Sequence, residues 1–199
     1  MEQAPAAPAT QQHPIRLNIT DDLQRNRLTV FFRLLLAIPH FLWLSLWGVI
    51  VLLAWIVAWF AALFTARVPG GLHTFMAGFL RYATHVRAYV LLIADPFPGF
   101  GGKQGYPIDL EVDPPERQSR LTVFFRFILA IPALFVTNIL GNLSQLLAVF
   151  SWFVALVLGR VPEGMRNFAA LALRYETQTY GYLMLLTQRY PSFNVGVSA

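Results

Sequence analysis

Two apolar stretches are interrupted by groups that could do chemistry: Arg81, His85 and Arg87 in the first, and Arg174, Glu176 and Gln178 in the second. Tyr82, His85 and Tyr89 follow i, i+3, i+7, and Tyr175, Gln178 and Tyr182 repeat that spacing. On a helix this places each trio on one face, with Arg81 or Arg174 beside it. An ionisable group at mid-membrane costs at least about 2.5–3.5 kcal/mol, so it is a functional hypothesis by default. The two faces together would form a central cluster of Arg, Tyr, His and Gln, with Glu176 its carboxylate. Such a cluster suits a pore, a ligand site or a partner surface. The competing reading is structural: the groups satisfy one another or snorkel to the interface. A strict relay is disfavoured, because His85 corresponds to Gln178 and Arg87 to Tyr180.

Other chemistries have little to stand on. The histidines are His13, His40, His73 and His85, and none recurs at the equivalent place in the other half of the chain. His73 and His85 are about 18 Å apart on a helix, too far to share an ion. With no cysteine, thiolate metal sites, iron–sulfur clusters and disulfides are excluded. No metal and no cofactor is expected. There is no HExxH pair, no GxSxG elbow and no glycine-rich phosphate loop, so a non-catalytic protein is favoured over an enzyme. Asp109, Glu111, Asp113 and Glu116 read as a solvated acidic face.

The elements that must position these residues follow from composition and repetition. Of 199 residues, 56% are hydrophobic and only 13% charged. A soluble domain carries about 25% charged residues, so this chain lacks the polar surface to wrap a soluble monomer. An integral membrane protein is expected. Arg27–Pro39, RLTVFFRLLLAIP, returns as Arg120–Pro132, RLTVFFRFILAIP, with 11 of 13 positions identical and an offset of 93. Arg67-Val68-Pro69 and Arg81-Tyr82 recur at the same offset, so the chain is a tandem duplication.

Each unit, 14–100 and 107–193 about a linker at 101–106, has four parts. Alternating Ile15, Leu17, Ile19 and Ile108, Leu110, Val112 predict a short strand in each copy. Arg16 and Asn18 face Asp109 and Glu111 in charge, which suits a two-stranded cytoplasmic ribbon. The RLTVFFR segments predict amphipathic interfacial helices at 23–38 and 117–131. Their arginines, Arg25, Arg27, Arg33, Arg117, Arg120 and Arg126, would touch anionic lipid headgroups, and Pro39 and Pro132 would kink the chain after them. Uncharged runs at 41–66 and 133–159, then helical patterns at 72–94 and 165–187, predict four transmembrane helices of an all-α bundle. Trp43, Trp47, Trp55 and Trp59 fit either an aromatic belt or packing. Asn138, Asn142, Ser144 and Gln145 mark a packed or partly hydrated face.

An even number of spans makes the copies parallel, related by an axis along the membrane normal. Nine basic residues flank the entries to the units, three lie in the tight turns and three within the spans. The positive-inside rule then puts both termini in the cytoplasm. Residues 1–13 and 194–199 are expected to be tails, the first disordered and without a cleaved signal. The excess of basic over acidic residues is explained by membrane lipids rather than nucleic acid. An accessory or scaffold subunit of the inner membrane, with a membrane-protein partner or a second copy, is favoured over a small transporter, channel or lipid-handling protein.

The RLTVFFRxxLAIP opening, the RVPEGMRNF turn and the LRY…YGYLMLLTQRYPSF closing segment resemble the bacterial membrane-protein family catalogued as domain of unknown function 4389. The resemblance spans nearly the whole chain in two copies. The first copy departs from the closing pattern, with Phe97-Pro98-Gly99-Phe100 where the second has Tyr190-Pro191-Ser192-Phe193. It implies a membrane location and a bacterial source, and transfers no activity or catalytic residue.

Overall fold

The computed structural model describes residues 12–193. The elements run β1 (Ile15–Ile19), α1 (Arg27–Thr65), α2 (Gly70–Val90), β2 (Ile108–Val112), α3 (Arg120–Phe124), α4 (Arg126–Leu158) and α5 (Glu163–Leu183). Residues 1–11 and 194–199 of the expected tails lie outside the described residues. His13 is described and buried, and its Nδ1 accepts the Ile15 N–H.

The ribbon forms as the alternation predicts. β1 and β2 pair antiparallel with Leu17 opposite Leu110, and Ile15, Leu17, Ile108 and Leu110 turn inward. Arg16 reaches Asp113 at 2.7 Å and Glu111 at 3.5 Å, and Asn18 donates to Glu111 at 2.7 Å.

The predicted division of each first half into an interfacial helix and a span is not found. α1 is one helix of 39 residues that runs through Pro39, capped at its start by the Asn26 side chain. In the second copy the helix continues through Pro132 and breaks instead at Phe125, within a VFFR segment identical to the one that stays helical in α1. The shared VFFR segment by itself therefore does not decide the break; the copies differ next at Phe127-Ile128 against Leu34-Leu35.

The helices stack in layers. α1 packs on α2, α4 on α5, α2 on α5, and α1 on α4, while the ribbon covers α2 and α5 from the other side. The α1/α4 contact is antiparallel. Trp59 Nε1 donates to the Val123 carbonyl at 3.2 Å and Trp152 Nε1 to the Val30 carbonyl at 2.9 Å. Each residue of one bond is the repeat counterpart of a residue in the other, so a pseudo-two-fold axis crosses the pair at right angles. The same axis passes between Leu17 and Leu110. Trp59 and Trp152, with Trp55 donating to the Leu183 carbonyl, are thus packing residues and not a belt.

This corrects the parallel arrangement. Each copy's N-terminal flank meets the other copy's turn: the Arg25 N–H donates to the Gly159 carbonyl and the Gln118 N–H to the Ala66 carbonyl. Arg160 is therefore a neighbour of Gln24, and basic residues assigned to opposite membrane faces lie together at each end of the bundle. Their count does not orient the chain.

Two helices, α1 and α4, are long and apolar enough to cross a membrane. α2 and α5 do not meet that test among the described residues. From Leu28 to Phe64, every exposed side chain of α1 is apolar except Ser45, whose hydroxyl donates to the Phe41 carbonyl. Between Phe127 and Leu158, the exposed polar residues of α4 are Asn138, Asn142 and Gln145.

Candidate functional site

The arginines of the RLTVFFR segments point inward. Arg33 is 1% exposed; its Nη1 donates to the carbonyls of Tyr89 at 2.8 Å and Ala94 at 3.0 Å, and its Nη2 to Asp95 at 2.8 Å. Its guanidinium lies 4.4 Å from the Tyr89 ring centroid. Arg126 repeats this on the Tyr182 and Thr187 carbonyls and over the Tyr182 ring, with Gln118 in the place of a carboxylate. Arg25 donates to the Leu92 and Ile93 carbonyls and pairs with Asp21 at 2.8 Å. These carbonyls end α2 and α5, where Leu92 and Leu185 take left-handed φ values of 58° and 63°. A helix C-terminus exposes acceptor carbonyls and a partial negative charge, and a guanidinium fork satisfies both.

Of the six arginines expected at lipid headgroups, Arg25, Arg33 and Arg126 are therefore corrected to helix-end caps. The stripe faces the core because the carbonyls at the ends of α2 and α5 are buried and the guanidinium forks add donors to them, while Leu34, Leu35 and Phe31 turn outward. Arg27, Arg117 and Arg120 are exposed.

The expected central polar cluster divides into three groups. Toward the ribbon, Arg81 Nε donates to the Leu110 carbonyl at 2.8 Å, and His85 Nε2 lies 3.0 Å from Asp109 with its ring stacked on Tyr106. Burial lowers the His85 pKa, against the opposing pull of Asp109. Gln178, its counterpart, donates to the Ile15 carbonyl and accepts from Ser192 N–H. Toward the core, the Tyr82 hydroxyl lies 2.6 Å from His40 Nδ1, Tyr89 and Tyr182 carry the cap arginines, and Tyr175 stacks on Phe193. Burial pushes the Tyr82 hydroxyl up to about 12, so it stays protonated. Arg174 makes no side-chain hydrogen bond or ion pair among the described residues.

The third group is Arg87 and Glu176, which the antiparallel packing of α2 on α5 brings to 3.3 Å. Two cavities, of about 210 and 240 Å³, open beside this pair and share Arg87, Glu176 and Tyr180 in their walls. The first is closed by Phe41 and Leu44 of α1 with Leu80 and Leu173. The second is closed by Thr137, Asn138, Asn142 and Gln145 of α4. The sequence placed Arg87 and Glu176 in one expected cluster, without pairing them with each other or joining them to Asn138, Asn142 and Gln145. The usable signal was the broken repeat: Arg87 and Glu176 correspond to Tyr180 and Ala83, and Asn142 and Gln145 to Val49 and Leu52. No group of three or more His, Asp or Glu residues able to hold a metal ion occurs among the described residues.

Comparison with curated proteins and with solved structures finds no match. The model of a domain of unknown function, DUF4389, matches residues 27–101 and again residues 120–194. The start points are Arg27 and Arg120, the first residues of the two arginine-bearing segments, and both matches end beyond the aromatic pairs that close each unit. The chain belongs to the DUF4389 family and holds two tandem copies of its domain.

Proposed function

We propose that the protein is a non-catalytic accessory or scaffold of the cytoplasmic membrane, which beds the α1/α4 layer along one leaflet and holds the β-ribbon in water. One observation carries this reading. The outer face of α1 is apolar from Leu28 to Phe64 apart from Ser45, and that of α4 is apolar apart from Asn138, Asn142 and Gln145, together far beyond the few hundred Å² patch that a soluble monomer leaves exposed.

Three features support an in-plane arrangement over four spans. At 1.5 Å per residue, the apolar face of α1 from Leu28 to Phe64 is about 54 Å long, against a hydrocarbon core of about 30 Å. Standing it upright within the usual tilt of about 0–40° would leave part of that face in water. The ribbon rests on the middle of α2 and α5, through Arg81, His85 and Gln178. Upright helices would bring its charged edges to the membrane centre, where open sheet edges are not tolerated. Lying flat, the pseudo-two-fold axis runs along the membrane normal, and exposed Arg27, Arg67, Arg120 and Arg160 sit at the two ends of the layer, at headgroup height. The accessory role is supported by the fate of Arg25, Arg33 and Arg126, which cap helix ends, and of Arg16, Arg81 and His85, which fasten the ribbon.

The chain contains no cysteine, so single-cysteine spin labels report depth without background. Labels at Leu28, Leu46 and Phe64 are expected at one shallow depth, about 5–10 Å below the headgroups, and a label at Asn18 in water. A deep Leu46 label with shallow ends, or a lipid-exposed Asn18 label, would overturn the in-plane reading. Failure of the protein to float with liposomes would overturn membrane residence altogether.

A further inference from the structure

Among the described residues the apolar face carries a polar interruption at Asn138, Asn142 and Gln145, where the two repeats are chemically unlike. Asn142 Nδ2 donates to Asn138 Oδ1 at 3.0 Å, and Arg87 Nε donates to Glu176 Oε2. Among the described residues, the Arg87 Nη atoms, Glu176 Oε1, Asn138 Nδ2, Asn142 Oδ1 and the Gln145 amide make no hydrogen bond. In contact with acyl chains, each of these groups would lack a partner and cost free energy. The α1 counterparts of Thr137, Asn138, Asn142 and Gln145 are Leu44, Ser45, Val49 and Leu52, of which three are apolar and Ser45 donates within its own helix.

We propose that this cleft seats the headgroup of one zwitterionic glycerophospholipid drawn from the leaflet beneath α1 and α4. The inference rests on the membrane-bedded reading above. The Arg87 Nη atoms, Asn138 Nδ2 and Gln145 Nε2 are donors suited to a phosphodiester. Glu176 Oε1 and Asn142 Oδ1 are acceptors suited to an ammonium. Arg87 and Glu176 balance each other, so the site is neutral as a whole and matches a zwitterion better than an anion. The adjoining chamber lined by Phe41, Leu44 and Leu80 takes the apolar part of the lipid nearest the headgroup. Each cavity is smaller than the roughly 300–1,000 Å³ of a drug-sized pocket, which limits the site to a headgroup and its first carbons.

The test is native mass spectrometry of the full chain released from vesicles of equal phosphatidylethanolamine and phosphatidylglycerol. One retained lipid per chain is expected, with phosphatidylethanolamine enriched at least fivefold. Carrying the α1 residues into α4 (Asn138→Ser, Asn142→Val, Gln145→Leu) should reduce retention at least tenfold while leaving flotation with liposomes unchanged. Glu176→Gln should abolish the preference for phosphatidylethanolamine. No retained lipid, retention indifferent to these substitutions, or a lipid-free dimer that the triple variant dissociates would each overturn the proposal. Loss of flotation in the wild-type chain would instead overturn the membrane-bedded reading on which it stands.

Discussion

Replacing Arg33 separates a helix-end cap from a lipid contact, because the two roles predict opposite losses. Arg33→Ala removes the donors to the Tyr89 and Ala94 carbonyls and the partner of Asp95. A buried carbonyl left without a donor costs about 1–3 kcal/mol. The Tyr89 carbonyl keeps the Leu92 N–H at 3.1 Å, so the Ala94 carbonyl alone is orphaned, and with the stacking on Tyr89 worth about 0.5–2 kcal/mol the raw sum is about 1.5–5 kcal/mol. Asp95 is 27% exposed and can turn to water, so its share is small. Relaxation of the Leu92–Asp95 turn trims the sum, and about 2–4 kcal/mol is expected. Against a typical total of about 5–15 kcal/mol this is a large fraction. Arg33→Lys should recover little, because an ammonium cannot reproduce the planar fork. Denaturant unfolding followed by tryptophan fluorescence in mild detergent measures the loss, with Arg27→Ala, an exposed neighbour on the same helix, as the reference at under about 0.5 kcal/mol. If Arg33→Ala unfolds with an unchanged midpoint and instead weakens binding to anionic vesicles, the cap assignment is wrong.

The buried histidines make the fold acid-labile. Burial lowers His13, His73 and His85, with Arg189 beside His13, Glu116 near His73, and Asp109 and Arg81 beside His85. Above pH 6.5 both folded and unfolded states hold these rings neutral. As pH falls through 6.5 the unfolded chain takes up protons that the folded chain does not, so stability is lost by up to about 1.4 kcal/mol per pH unit for each ring. A Tm series from pH 7.5 to 5 should fall, and His85→Gln, the residue of the second copy, should flatten it; a constant Tm would contradict the burial argument. Gly102 has φ +64°, and a Cβ there would lie 2.9 Å from the Tyr82 nitrogen, so Gly102→Ala should cost more than about 1 kcal/mol in denaturant unfolding. Trp59→Phe and Trp152→Phe each leave a carbonyl of the facing helix without its indole donor. Each should lower Tm similarly, since the two bonds are repeat equivalents.

Sequence alone was enough for the duplication, the two strands with their facing charges, the helical character of every long element and the apolar surface. Each of these depends on local periodicity or on comparing the chain with itself at one offset. The side to which a residue turns was decided elsewhere. Arg33 reads as a headgroup contact on its own helix, and only the end of α2, 56 residues away along the chain, reveals the carbonyls that draw it inward. Arg87 and Glu176 are 89 residues apart and meet because α2 and α5 pack antiparallel. The direction of that packing has no local signature: it follows from the Trp59 and Trp152 bonds across the repeats and from the pairing of Leu17 with Leu110. Composition thus pointed to a membrane by the sum of its apolar residues, a quantity that needs no geometry. How the layers stack, and so which faces stay exposed, depends on pairings between the two copies, and only the tertiary structure holds that information.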